Sequence, residues 1–136
     1  MNVLEISFVK HVGIEKDGEL MLDAKEELQN HIKTIHASAQ FTLAETASGE
    51  CLMKEFLQYK GKVIPLLRSS TVKYKSLATS TLRAKASLTK EAKEKFLKQF
   101  KRRGEGIISV DVVLLDENSL VTMEGKFIWF VKNVNR

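Results

Sequence analysis

Residues 35–59 read IHASAQFTLAETASGECLMKEFLQY, and this stretch constrains the fold more than any other. Phe41, Ala44, Ala47, Ser48, Cys51, Leu52 and Phe56 recur at intervals of three and four, the spacing of one helix face. The pattern predicts a helix of roughly six or seven turns over about 35–58, starting near His36, with Thr34 placed to cap it. Its middle is Ala, Ser, Thr and Gly49, small residues that let another element approach closely. A helix apolar on so much of its girth is expected to be buried.

The flanking segments follow a period of two. Residues 107–115 place Ile108, Val110, Val112 and Leu114 on one face. Residues 120–132 place Val121, Met123, Phe127, Trp129 and Val131 on one face and Glu124, Lys126 and Lys132 on the other. Asp116–Ser119 is the turn between them. Residues 63–75 and 79–88 are strand-like, with Leu82, Ala84, Ala86 and Leu88 on one side; Gly61 ends the helical element and Pro65 marks an edge or a strand start. Asp17-Gly18 is a turn ahead of a strand at 19–25, while residues 3–9 fit a strand or a helical turn equally. One buried helix and five or six strands make an α+β domain, an antiparallel sheet wrapped around the helix. With 136 residues and no internal repeat, the reading is one domain over 1–136.

The net charge of +5 sits in one place. Residues 90–103 (KEAKEKFLKQFKRR) carry seven Lys/Arg and two Glu, and the remaining chain carries fifteen of each sign. Phe96, Leu97 and Phe100 give this segment helical spacing, closed by Gly104 and Gly106, so a short basic helix is expected at about 89–104. Its charges are either a solvated face or a contact for an anionic partner: a nucleotide phosphate, an acidic carrier protein or nucleic acid. Nucleic acid ranks last, because Phe96 and Phe100 fall four apart and read as packing residues, not stacking platforms. No apolar run reaches ~18 residues and the N-terminus does not read as a secretory signal. The lone Cys51 has no partner for an internal disulfide, and three scattered histidines do not make a zinc site. The expectation is a cytoplasmic protein with no metal, no membrane segment and no nucleic-acid partner.

The stretch Asn30–Gly49 (NHIKTIHASAQFTLAETASG) resembles the central-helix motif of the hotdog-fold acyl-CoA thioesterase superfamily. That pattern runs Asn, a few residues, His-Gly-Gly, then an acidic residue nine after the His. Asn30, His36 and Glu45 fit the spacing; Phe41, Leu43 and Ala47 fit its apolar positions; the strand order also agrees. Two features depart from the pattern. Ala37-Ser38 stands where the family has Gly-Gly, and the basic helix lies outside the minimal fold, as in an uncharacterised branch of the superfamily.

The resemblance implies thioester hydrolysis. That reaction needs a nucleophile or a base-activated water, and donors for the oxyanion. Glu45 is the candidate base or nucleophile. It shares a helix face with Phe41, Gly49 and Leu52, so its carboxylate is expected to be partly buried and its pKa raised; the plain alternative is a helical glutamate at a wet edge. The amides of Ala37 and Ser38, at a helix N-terminus, are the candidate oxyanion donors. His36 either orients the loop or substrate or simply bonds to nearby backbone. Asn30 is a polar contact near the thioester or a turn residue. In the family the strand after the helix lines the acyl or pantetheine channel, which implies that Ser69, Ser70 and Thr71 touch ligand. Phe41 is a further substrate-binding candidate, and Lys73 is one of the cations that either meet the phosphates of coenzyme A or serve as solvated surface charges.

Glu45 lies nine residues beyond His36, ~13 Å along a helix axis. One carbonyl carbon does not easily meet both groups of one chain. Two such helices, antiparallel across a twofold axis, bring Glu45 of one subunit towards the helix start of the other. The resemblance implies the same: hotdog enzymes are dimers with interface sites, and some are dimers of dimers. Coenzyme A enters only as part of the substrate, and no cofactor is implied. Three further readings rank lower: a non-catalytic hotdog module binding acyl-CoA or acyl-carrier ligands, a hotdog dehydratase, and a basic nucleic-acid-binding domain.

Overall fold

The computed structural model describes residues 2–134. The chain opens with a 3-10 turn, Val3–Glu5, and a short helix α1 (Ser7–Val12). The hairpin β1 (Glu15–Asp17) and β2 (Glu19–Leu22) turns at Gly18, whose φ of +75° is the left-handed conformation glycine supplies without strain. Then come the long helix α2 (Ala37–Glu55), β3 (Val63–Tyr74), β4 (Leu82–Ser87), helix α3 (Lys90–Arg103), β5 (Glu105–Leu115) and β6 (Val121–Asn133). All strand pairs are antiparallel, and the six form one sheet in the order β1-β2-β4-β5-β6-β3. This is the α+β arrangement read from the sequence. Residues 3–9 resolve as helical turns, not a strand.

The sheet's inner face is the face the alternation marks. Leu82 and Ala84 on β4, Ile108, Val110, Val112 and Leu114 on β5, and Met123, Phe127 and Val131 on β6 are all buried. Each large apolar side chain removed from water contributes roughly 1.5–3 kcal/mol. Val121 leaves the pattern: Leu114 pairs with Met123 and Leu115 with Val121, so Thr122 is the extra residue of a bulge and is itself buried.

α2 lies across this face, with Phe41 against Phe127 (ring centroids 5.5 Å apart). Buried positions run through most of its girth, from Ala39 to Met53. Its start differs from the Thr34 cap expected. The Thr34 hydroxyl accepts from Asn30 Nδ2 at 2.8 Å, inside a closed loop, and is not free to cap. His36 is the N-cap instead, its Nδ1 accepting from the Ser38 amide at 2.9 Å. The helix also ends at Glu55, before a 3-10 turn at Leu57–Tyr59.

α3 packs at the C-terminal end of α2. Phe96 meets Phe56 at 5.1 Å between centroids, Phe100 meets Tyr59 at 4.7 Å, and Lys93 pairs with Glu55. Thr89 caps its start through the Ala92 amide, and Gly104 ends it in the left-handed conformation.

Candidate functional site

Glu45 is half-buried on the side of α2 that faces the N-terminal segment. It opens into a cavity of about 320 Å³. Thr42, Thr46 and Gly49 of α2 form the floor beside it; Val3, Ile6, Phe8 and Val9 form one wall, and Pro65 and Trp129 the other. Apart from the two threonines, the groups around the carboxylate are apolar. Burial alone raises the Glu45 pKa above its ordinary 4.5, because charge is disfavoured where water is excluded.

Two bonds fix the far wall. Trp129 Nε1 donates to Ser48 Oγ at 2.9 Å, and Ser48 Oγ donates to the Glu45 carbonyl at 2.7 Å. The indole then lies against Gly49, where a Cβ would sit 3.4 Å from the ring. The small residues read in mid-helix thus admit a tryptophan from the sheet.

At the start of α2, the candidate groups are held differently. Asn30 is spent on its own loop: Oδ1 accepts from the Ile32 and Thr34 amides, and Nδ2 donates to Thr34 Oγ1. The Ser38 amide is bound by His36 Nδ1, whereas the Ala37 amide has no hydrogen-bond acceptor among the described residues. The Tyr74 hydroxyl reaches the same turn, donating to the Ala37 carbonyl at 3.2 Å. A second hollow of about 370 Å³ holds His36 and Ser38, and it shares Phe8 and Thr42 with the Glu45 cavity. Within one chain, then, Glu45 and the helix start open on adjoining hollows either side of Phe8, which is 60% exposed.

The β3 candidates divide between the two sheet faces. Ser70 pairs with Phe127 and points with it to the helix side. Ser69, Thr71 and Lys73 pair with Ile128, Lys126 and Glu124 and lie on the outer face, away from Glu45. Lys73 and Thr71 border a shallow outer hollow with Asp111 and Glu124. Phe41 is half-buried against Phe127. Sequence reading missed Phe8, Val9 and Tyr74. The first two lie in a segment whose apolar spacing fits a strand or a helical turn, and the third falls in β3, where no local signal points to the helix start.

Among the described residues no helix is long and apolar enough to cross a membrane, and no three His, Cys, Asp or Glu gather as a metal site would require.

The architecture is the hotdog fold, and solved structures share it. A Pseudomonas aeruginosa protein described as a probable thioesterase of unknown function superposes with a TM-score of 0.82 at 24% identity, over 96% of this chain and 91% of that one. A Haemophilus influenzae thioesterase matches at 0.74 and 15% identity, over 98% and 88%. A Bacillus halodurans protein solved with CoA matches at 0.73 and 20% identity, over 91% and 74%. Residues 8–131 match the family described as a domain of unknown function, DUF4442, and the chain belongs to that family. No curated protein matches it.

Proposed function

We propose that this protein is an acyl-CoA thioesterase with Glu45 as its general base or nucleophile. The observation that carries the reading is a carboxylate half-buried in an apolar cavity, its pKa raised by burial alone. Such a group is a stronger base than a solvated glutamate, and the cavity around it suits an acyl chain. The names of the fold neighbours, one thioesterase, one probable thioesterase and one protein solved with CoA, agree with this assignment.

In the reaction, Glu45 takes a proton from water as the water oxygen bonds to the thioester carbonyl carbon. The oxyanion is met by the Ala37 amide, the donor in that turn with no acceptor of its own. The tetrahedral species collapses with cleavage of the C–S bond, and the proton on Glu45 passes to the departing sulfur. Free acid and thiol result. If Glu45 attacks directly, its carboxylate oxygen bonds to the carbonyl carbon, the C–S bond breaks and the thiolate leaves, protonated by solvent; water then hydrolyses the mixed anhydride to the free acid and the restored Glu45 carboxylate.

The two groups act across a homodimer, the helix start of one copy facing Glu45 of the other. β3 supports this: it is an edge strand of twelve residues, one side of which pairs with no strand among the described residues, and an unpaired edge is a template for a second strand. His36 positions the helix start as its cap.

The test is hydrolysis of an acyl-CoA series, acetyl to palmitoyl plus an aryl example, followed as released thiol for wild type and Glu45→Gln. Turnover abolished by Glu45→Gln in a folded protein supports the reading. Saturable acyl-CoA binding without turnover moves the protein to the non-catalytic hotdog modules. Turnover indifferent to the substitution removes Glu45 from the mechanism.

A further inference from the structure

The basic helix α3 has no task in the hydrolysis described above. Its apolar side is fully used: Phe96 is 1% and Phe100 6% exposed, packed against Phe56 and Tyr59. Lys93 is bound to Glu55. Lys95, Lys98 and Arg102 remain exposed and recur at three and four, so they form one stripe, flanked by Lys101 and Arg103; the exposed Glu91 and Glu94 stand one turn before Lys95 and Lys98 on the same side and leave it net positive. None of these five forms a salt bridge among the described residues. Lys60 and Lys62, exposed just beyond Tyr59, extend the same positive end of the molecule. Outside residues 90–103 the sequence carries fifteen charges of each sign, so that segment holds the net excess.

Position ties the stripe to the site. Phe56, which Phe96 packs on, is eleven residues past Glu45, ~16 Å along the α2 axis. Gly106 under Phe96 pairs with Val131, which pairs with Pro65 in the cavity wall, so two strand spacings of ~4.8 Å separate them on one face.

We propose that α3 docks an acidic carrier protein that presents the acyl thioester on its flexible phosphopantetheine arm. This rests on the thioesterase reading and narrows its substrate class. Such an arm has the reach of roughly four extended residues, ~14 Å, enough to cover the two strand spacings from Gly106 under α3 to Pro65 in the cavity wall. Charge complementarity selects the occupant. Five unpaired cations along a helix of ~20 Å exceed what the few phosphates of one nucleotide neutralise, and they match an acidic helix laid alongside. A bilayer is disfavoured because the apolar face of α3 is consumed within the fold and has nothing to insert. Nucleic acid is disfavoured because the neighbouring aromatic rings pack on one another and offer no stacking face.

The experiment compares one acyl group on two carriers, hexanoyl-CoA and a hexanoyl acyl carrier protein, for wild type and Lys95→Glu/Lys98→Glu/Arg102→Glu. All three positions are exposed, and circular dichroism checks the fold. The expected result is a loss of ten-fold or more in kcat/KM on the carrier protein, carried by KM, with the CoA substrate within two-fold. Wild-type activity on the carrier protein should also fall steeply with salt. Equal loss on both substrates, or none on either, overturns the proposal. If wild type hydrolyses neither these nor any member of the acyl-CoA series, the thioesterase reading fails separately, and fluorescence anisotropy of labelled holo-carrier protein decides the docking. Binding that the triple variant loses supports it; no binding, or binding only to anionic vesicles or duplex DNA, overturns it.

Discussion

The Trp129 indole nitrogen donates to the Ser48 hydroxyl at 2.9 Å, and this bond joins β6 to α2 beside Glu45. Ser48 is fully buried and also donates to the Glu45 carbonyl. Its oxygen therefore serves as donor and acceptor at once. Ser48→Ala strands the Trp129 N–H in a half-buried site, at an expected cost of about 1–3 kcal/mol. Urea denaturation measures it. In a Trp129→Phe background the same serine change should cost less, because no donor is left unpaired. Equal costs in the two backgrounds would show that the bond contributes nothing.

Glu45→Gln separates stability from chemistry. Burial holds the carboxyl above its ordinary 4.5, so the folded state binds this proton more tightly than the unfolded chain does. From 4.5 up to the raised value, stability therefore falls as pH rises, and above it the full penalty is present. Gln carries no charge to desolvate. The variant should be at least as stable as wild type at pH 7, with the advantage vanishing below pH 4.5. Its activity should drop 10²- to 10⁴-fold, the contribution of a positioned base. Wild-type activity should rise with pH through the raised pKa, since only the carboxylate takes a proton.

Much of this arrangement is readable from residues, and the gaps have physical causes. Ile108, Val110, Val112 and Leu114 alternate because one face of β5 is buried, and nothing local disturbs the period. Val121 breaks the same rule because a bulge inserts Thr122, which no alternation reveals. Thr34 has the better side chain for a cap, but Asn30 takes its hydroxyl in a loop closed across four residues. The role of the N-terminal segment is set by its packing on α2, not by its own pattern. Glu45 was legible from its helix face. Its apolar surroundings were not, because Phe8, Pro65 and Trp129 reach it from three distant parts of the chain.

His36 distinguishes a cap from a catalytic group. As N-cap it supplies one acceptor to the Ser38 amide. His36→Ser keeps a side-chain acceptor at that position and should leave stability nearly unchanged. His36→Ala should cost about 1 kcal/mol. If His36 acts only by holding the helix start, His36→Ser retains activity on acyl-CoA and His36→Ala loses some of it through KM. A collapse of kcat in both variants, with His36→Ser as stable as wild type, assigns the imidazole to the chemistry.

Gly106 decides whether α3 can sit on the sheet. A Cβ there would lie 2.9 Å from Phe96 Cδ1 and 3.1 Å from Cε1. The ring has little room to retreat, with Phe56 at 5.1 Å on one side and Phe100 at 5.4 Å on another. Gly106→Ala should therefore destabilise the protein by about 1–3 kcal/mol, the range for overpacking a filled core. The gain from a less flexible strand residue is smaller than this and does not offset it. The strain falls on the α3 side of the contact. Amide exchange should accelerate across Lys90–Arg103 before it does so in β5, which is held by neighbours on both edges. Phe96→Leu in the same background trims the ring that the new methyl strikes, so the double variant should lose less than the two single costs added together. Additive costs would mean that the methyl and the ring do not meet, and that α3 is held by its other contacts.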